Sequence, residues 1–182
     1  MKYFINSLTF SRIFSAPILF ILITINQSYA WAFLIFFLAS ISDYLDGFLA
    51  RKYDLSSTLG EILDPIADKI LIVFALIGLS IAMQSIFIGA LTSIILAREF
   101  WVSALRDMNA RLGNSDATKV TFLAKIKTTL QMISISLYLV SLSLNSALLI
   151  FLSDLILLLA TTVTLKTGIS YTIASVGNNK VD

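Results

Sequence analysis

The spacing of long apolar segments is the feature that most limits what this chain can form. A helix that crosses a bilayer needs about 20 mainly apolar residues. Six segments approach that length, at positions 11–26, 30–50, 66–83, 85–105, 128–144 and 147–165. Charged residues make up only 13% of the 182 residues, against about 25% in ordinary soluble domains. The sequence therefore predicts an all-α integral membrane protein with six transmembrane helices.

The two ends of the chain differ from the apolar segments between them. The stretch before the first predicted span contains Asn6, Thr9 and Arg12 among apolar residues at helical spacing. We expect it to lie along the membrane interface as an amphipathic segment. The stretch at 168–182 is polar enough to form a loose tail. We therefore predict one membrane domain at 1–167, followed by a polar C-terminal tail at 168–182.

Basic residues lie on one side of the predicted spans. The short turns near 27–28, 84–85 and 145–146 contain no Lys or Arg, so all 13 basic residues fall on the other side or in helix ends close to it. Cytoplasmic loops of membrane proteins carry an excess of Lys and Arg, which predicts that both termini are cytoplasmic. Because an Arg-rich, acid-poor transit segment is absent, we expect the plasma (inner) membrane of a bacterium.

Four aspartates form the most informative pattern in the sequence. Asp43 and Asp46 lie three residues apart near the end of the second predicted span. Asp64 and Asp68 lie four residues apart near the start of the third predicted span. Both spacings place a pair of side chains on one face of a helix. We expect the two helices to be neighbours, so that the four carboxylates face one another near the cytoplasmic surface.

Four ionised carboxylates in such a place repel one another and lose hydration, so either some are protonated or cations bind between them. The chain contains no Cys and no His, which excludes disulfides, thiol catalysis and thiolate zinc sites. Oxygen ligands alone favour Mg²⁺, Mn²⁺ or Ca²⁺. Two divalent ions would balance the four charges, and paired ions recur in enzymes that transfer phosphoryl groups.

Small residues and one arginine lie between the two aspartate pairs. Gly47, Ala50 and Gly60 have little or no side chain, so a phosphate could approach the backbone closely. Arg51 supplies a planar donor that suits phosphate. A single acidic residue at a helix end is often only solvated, and Asp64 alone could cap a helix. The combination favours a site that holds metal ions and phosphate groups.

These residues resemble the signature of the CDP-alcohol phosphotransferase family at each of its fixed positions. The matching residues are Asp43, Asp46, Gly47, Ala50, Arg51, Gly60, Asp64 and Asp68. The stretches at 6–12, 95–106 and 124–129 are similar to the phosphatidylglycerophosphate synthase branch of that family. The resemblance covers most of the chain from residue 6 to about residue 132.

The resemblance implies a six-helix enzyme, usually a homodimer, that works with two divalent cations, Mg²⁺ or Mn²⁺. It implies that the metal ligands are Asp43, Asp46, Asp64 and Asp68. Asp68 would also be the general base, and the nucleotide would be lined by Gly47, Ala50 and Arg51. The implied reaction transfers a phosphatidyl group from CDP-diacylglycerol to glycerol 3-phosphate and releases CMP. We expect surrounding membrane lipid and no nucleic-acid partner.

Basic residues in and after the fourth predicted span are candidates for binding the acceptor. Glycerol 3-phosphate is anionic, so a basic pocket would favour it over neutral inositol or diacylglycerol. We predict that Arg98, Arg106 and Lys125 bind the acceptor phosphate, because charged residues inside a membrane commonly mark a functional site. They could instead be topology charges on the cytoplasmic side, and Arg98 could pair with Glu99 or another acid.

Three alternatives stand beside this interpretation. The same chemistry could use another acceptor, such as inositol phosphate, serine or phosphatidylglycerol. A divalent-cation transporter would also use acids within the membrane, but it would need them across the membrane depth. Here the four aspartates lie at one end, beside Arg51. A non-catalytic membrane scaffold would need no acidic cluster.

Overall fold

Helices are the secondary structure of the described chain, and short turns or loops join them. A computed structural model describes the backbone of residues 2–53, 58–119 and 121–178, and the side chains of residues 9–42, 63–114, 116–119 and 121–177. The elements are α1 (Lys2–Thr24), α2 (Tyr29–Tyr53), α3 (Thr58–Ala82), α4 (Ile86–Arg111), a short 3₁₀ helix (Ser115–Thr118), α5 (Phe122–Leu144) and α6 (Ala147–Asn178). The prediction of an all-α fold is confirmed for these residues.

Short turns join the helices in pairs, and hydroxyl side chains cap the starts of α4 and α5. At the start of α4, Ser85 accepts a hydrogen bond from the backbone N–H of Ile88. At the start of α5, Thr121 accepts one from the N–H of Ala124. Asn145 ends α5 in the left-handed conformation at φ 52°, which Asn tolerates better than most residues. The turns fall where the sequence predicts them and make antiparallel pairs of α1 with α2, α3 with α4, and α5 with α6.

Several helical segments are long and apolar enough to cross a membrane. By length and composition these are Leu63–Ala82, Ile86–Arg111 and Ala147–Gly177, as found among the described residues. Two shorter apolar segments, Thr9–Thr24 and Tyr29–Ser42, lie within α1 and α2. The expectation of a membrane protein agrees with these segments, while the count of six spans stays a prediction.

One apolar core joins all six α-helices. It contains a fully or almost fully buried residue from each helix, namely Leu19, Phe36, Leu76, Ile88, Ile135 and Leu157. Polar bonds inside the bundle tie α5 to α6. Tyr138 donates its hydroxyl to Asp154, and Ser134 donates to the carbonyl of Ser153 at 3.0 Å. Asp154, which has no basic residue near it in the sequence, thus finds a partner on the neighbouring helix.

Both ends of the described chain differ from the predicted boundaries. α1 runs without a break from Lys2, so the predicted interfacial stretch and the first predicted span belong to one helix. α6 continues to Asn178, although the sequence predicts a loose tail from 168. The reason is packing, because Tyr171 and Ser175 are buried and Ser175 accepts a hydrogen bond from Asn109 of α4 at 2.8 Å. Polar residues of this stretch thus form a contact between helices.

Candidate active site

Asp64 and Asp68 lie one turn apart on α3 and share one guanidinium group from α1. Arg12 donates from Nη2 to Asp64 Oδ1 at 2.9 Å and from Nη1 to Asp68 Oδ1 at 2.6 Å. Thr9, one turn earlier in α1, donates its hydroxyl to the same Asp64 oxygen at 2.7 Å. The four-residue spacing therefore puts both carboxylates on one helix face, as the sequence predicts. We call Arg12, Asp64 and Asp68 the acidic cluster.

The burial of the acidic cluster is uneven. The Arg12 side chain is 1% exposed, whereas the side chains of Asp64 and Asp68 are 38% and 27% exposed. Removing one partner of a buried ion pair is strongly destabilising, because the other charge is left without compensation. Arg12 therefore holds the two carboxylates from the buried side and leaves them partly accessible from the other.

The other half of the predicted metal site lies outside the described side chains. Asp43 and Asp46 fall in the last turns of α2, where only the backbone is described, and so do the predicted nucleotide residues Gly47, Ala50 and Arg51. Among the side chains that are described, no group of three or more acidic residues converges on one point.

The described half fits the predicted metal. The Oδ1 atoms of Asp64 and Asp68 already bond to one cationic group, the guanidinium of Arg12. Carboxylate oxygens are the ligands that Mg²⁺ and Mn²⁺ prefer. These two residues can thus contribute ligands to a divalent cation.

A cavity of about 530 Å³ lies beside Asp68, between α3, α4 and α5. Its apolar lining includes Ile72, Val73 and Ile95. Its polar lining includes Asp68, Lys69, Arg98, Glu99, Arg106 and Lys127. Asp68 therefore belongs to both the acidic cluster and the wall of the cavity.

Glu99 is the centre of a group of cations in this cavity. Arg98 Nη1 donates to Glu99 Oε1 at 2.8 Å, and Lys127 Nζ donates to the same oxygen. Lys69 Nζ lies 3.6 Å from Glu99 Oε2 and donates to the hydroxyl of Ser103 at 3.0 Å. We call Lys69, Arg98, Glu99 and Lys127 the basic cluster. Three cations around one carboxylate leave a positive surplus, which suits a phosphate group.

The three predicted acceptor residues occupy different places. Arg106 lines the cavity, with its guanidinium 5.9 Å from the centre of the Tyr171 ring. Arg98 also lines the cavity, but it is buried and bonds to α6. Lys125 is exposed and is not among the described residues that line the cavity, whereas Lys127 is. Two residues along an α-helix are about 200° apart, so only one of the two lysines can face the cavity.

Four side chains that the sequence analysis left without a role in the site join it in the structure. These are Thr9, Arg12, Glu99 and Lys127. Charged residues inside apolar segments are costly and commonly mark function, so Arg12 and Glu99 carried a signal. Glu99 also bonds to its neighbour Arg98 in α4, as the sequence allowed. The other partners lie on different helices, and the sequence contains no sign of which helix that is.

Comparisons with known proteins match most of the chain. A family model described as CDP-alcohol phosphatidyltransferase matches residues 3–168. A protein of Salmonella choleraesuis strain SC-B67 is 37% identical over 131 residues, which cover 70% of this chain and 71% of the relative. A protein of Escherichia coli strain K12 is 36% identical over 129 residues, with the same coverage of 70% and 71%. Both relatives are named CDP-diacylglycerol–glycerol-3-phosphate 3-phosphatidyltransferase. With the acidic cluster, the cavity and the basic cluster all within the matched residues, the chain belongs to the CDP-alcohol phosphatidyltransferase family.

Proposed function

We propose that this protein transfers the phosphatidyl group of CDP-diacylglycerol to glycerol 3-phosphate and releases CMP. The observation that carries the proposal is that the two clusters of opposite charge adjoin on α3. Asp68 bonds to Arg12, while the next residue, Lys69, lies beside Glu99 in the cavity. The names of the bacterial relatives support the same reaction.

The acidic cluster belongs to the metal site of this reaction. We assign two Mg²⁺ or Mn²⁺ ions to the four ligands Asp43, Asp46, Asp64 and Asp68. When bound, such ions neutralise charge on the diphosphate of the donor lipid. Arg12 and Thr9 hold the Asp64 carboxylate from the α1 side. Gly47, Ala50 and Arg51, which follow Asp46 in α2, line the nucleotide.

Asp68 is the general base in this proposal. It borders the cavity as well as the acidic cluster, so its carboxylate can take the proton from an acceptor hydroxyl placed in the cavity. A base must lie within hydrogen-bond reach of the proton that it removes. Its bond from Arg12 of α1 fixes one oxygen of this carboxylate. Attack by the deprotonated hydroxyl on the phosphorus next to diacylglycerol forms the new P–O bond. The bond from that phosphorus to the bridging oxygen of the diphosphate breaks, and CMP leaves with this oxygen.

The basic cluster and Arg106 bind the acceptor phosphate. A phosphomonoester carries a charge of about −1.5 to −2 at pH 7. The surplus of cations around Glu99 matches that charge, and a neutral acceptor such as inositol has no group that could replace it. Arg106 supplies a planar donor at the end of α4. Lys125, exposed near the start of α5, adds positive charge that attracts the anion from water.

The placement of the site supports a cytoplasmic active site in a bacterial plasma membrane. Asp64 is near the start of α3 and Arg106 near the end of α4, so both lie away from the three short turns without basic residues. We propose six spans in a single membrane domain, with both termini in the cytoplasm and two copies in a homodimer. The acyl chains of the donor then stay in lipid, while the polar acceptor enters from water.

The test is an assay of CMP release by the purified protein in detergent. CDP-diacylglycerol is supplied with Mg²⁺ or Mn²⁺ and with glycerol 3-phosphate, inositol phosphate, serine or no acceptor. We expect CMP release that depends on the metal and on glycerol 3-phosphate, with phosphatidylglycerophosphate as the lipid product. Release only with another acceptor would overturn the acceptor assignment and keep the reaction type. No release from folded protein in any mixture would overturn the assignment as an enzyme.

A further inference from the structure

No described residue of α6 lines the cavity, but α6 holds Arg98, which does. Arg98 donates from Nε to the backbone carbonyl of Thr164 at 3.0 Å and from Nη2 to the hydroxyl of Thr167 at 2.7 Å. The Thr167 hydroxyl donates in turn to the Thr164 carbonyl at 2.9 Å. These bonds form a closed set between one side chain of α4 and two residues of α6.

Gly168 lets the stem of Arg98 lie directly against the backbone of α6. A Cβ atom at this position would be 3.0 Å from Arg98 Cγ and 3.2 Å from Arg98 Nε. Both distances are shorter than an ordinary van der Waals contact, so a Cβ atom here would push the Arg98 stem away by a few tenths of an ångström. The stem and two of the three guanidinium nitrogens are therefore fixed by α6.

The third guanidinium nitrogen of Arg98 links the fixed side chain to Glu99 in the cavity. Nη1 of Arg98 donates to Glu99 Oε1, the oxygen that also accepts from Lys127. A guanidinium is planar and rigid, so fixing Nε and Nη2 also fixes the direction in which Nη1 points. The place of Glu99, and through it the place of the Lys127 ammonium, thus depends on contacts that Arg98 makes outside the cavity.

We infer that Thr167 is a positioning residue for the acceptor: it acts through Arg98 and Glu99 on the basic cluster without touching the substrate. The inference rests on the proposed function, since it concerns the acceptor pocket of that reaction. It also gives Arg98 a role in holding the pocket, because each of its guanidinium nitrogens has a partner within the protein.

The test compares two buried threonines of α6. Thr167→Val removes the hydroxyl that accepts from Arg98 and keeps the shape of the side chain. Thr161→Val is the matched control, because the Thr161 hydroxyl donates to the Leu157 carbonyl of its own helix at 2.8 Å. We expect Thr167→Val to raise the KM for glycerol 3-phosphate about three- to tenfold. This is part of the effect of losing one hydrogen bond from a charged group. The KM for CDP-diacylglycerol should stay unchanged in both variants. Thr167→Ser, which keeps the hydroxyl, should have the wild-type KM for glycerol 3-phosphate.

A binding measurement separates this inference from the proposed reaction. Protection against thermal unfolding by inorganic phosphate is measured for the same variants, and Thr167→Val should need about three- to tenfold more phosphate than Thr161→Val. If the wild-type protein used another acceptor but the two variants still differed in this way, the proposed function would fail and the positioning role would stand.

Three results would overturn the inference. They are equal behaviour of the two threonine variants, a parallel rise in the KM values for glycerol 3-phosphate and CDP-diacylglycerol, or no protection of the wild type by phosphate. If Thr167→Val does not accumulate as folded protein, Gly168→Ala tests the same point, since it displaces the Arg98 stem and keeps the hydroxyl. It should raise the KM for glycerol 3-phosphate selectively, and an unselective effect would overturn the inference.

Discussion

The acidic cluster and the basic cluster use the same construction with opposite charges. In the first, the carboxylates of Asp64 and Asp68 share the guanidinium of Arg12. In the second, three cations share the carboxylate of Glu99. Each cluster has more charges of one sign than of the other, and a single residue of the opposite sign holds the like charges in place. The two meet on α3, where Lys69 follows Asp68 in the chain.

In the proposed reaction, this difference would separate the charges of the metal ions from those of the acceptor phosphate. A surplus of carboxylate suits a divalent cation, and a surplus of cations suits a phosphate dianion. The residue of opposite sign keeps the like charges from spreading apart while no ligand is bound. Groups that are already in position need not reorganise during the reaction, which is the main source of electrostatic catalysis. The comparison therefore predicts that variants of the acidic cluster change the metal dependence and variants of the basic cluster change the acceptor dependence.

The largest effect is expected for Asp68→Asn, because Asp68 borders both clusters. An amide cannot take the acceptor proton, so CMP release with glycerol 3-phosphate should fall by about 10²- to 10⁴-fold. Folding should be retained, since the amide oxygen can still accept from Arg12. The control is Asp107→Asn, an exposed acid whose ion pair with Arg111 contributes little. Activity of Asp68→Asn within about twofold of wild type would contradict its role as base.

Lys127→Met compared with Lys125→Met tests the orientation of α5. Lys127 bonds to Glu99 in the cavity and Lys125 is exposed, so only the first substitution should weaken acceptor binding strongly. A hydrogen bond to a charged group is worth about 1.5–3 kcal/mol, which corresponds to a rise of about ten- to 100-fold in the KM for glycerol 3-phosphate. Lys125→Met should change it by no more than about threefold, the effect of an exposed charge. A larger effect at Lys125 would favour the assignment made from the sequence.

Much of this arrangement follows from local patterns in the sequence. The apolar segments and the polar residues between them predict the helices and their short turns. The four-residue spacing of Asp64 and Asp68 predicts that they share a face, and the structure has them bonded to one guanidinium. These predictions succeed because helical periodicity is a property of neighbouring residues alone.

The contacts between distant helices could not be predicted in the same way. Arg12 meets Asp64 across 52 positions of sequence, and Arg98 meets Thr167 across 69. Spacing indicates which residues share a face, but the helix that covers that face depends on how the whole bundle packs. The same limit explains why the exposed Lys125 is a candidate by sequence. It also explains why the last turns of α6, where Tyr171 and Ser175 are buried, have the polar composition of a loose tail.

The smallest effect is expected for Thr9→Val, which tests the acidic cluster from its α1 side. Thr9 and Arg12 both donate to Oδ1 of Asp64, so together they fix the rotation of that carboxylate. Partners that orient a metal ligand are worth about 10- to 100-fold in metal affinity. Because Arg12 remains, we expect the Mg²⁺ concentration for half-maximal CMP release to rise only about threefold.

The same variant decides whether the two clusters are separate in function. The KM for glycerol 3-phosphate should stay at the wild-type value in Thr9→Val, because the hydroxyl bonds to Asp64 and not to the basic cluster. Thr24→Val is the control on the same helix, since the Thr24 hydroxyl donates to the Phe20 carbonyl within α1 at 2.7 Å. A change in acceptor KM without a change in Mg²⁺ dependence would contradict the division between the clusters. The shared position of Asp68 would then couple them, and the metal and acceptor sites would have to be treated as one.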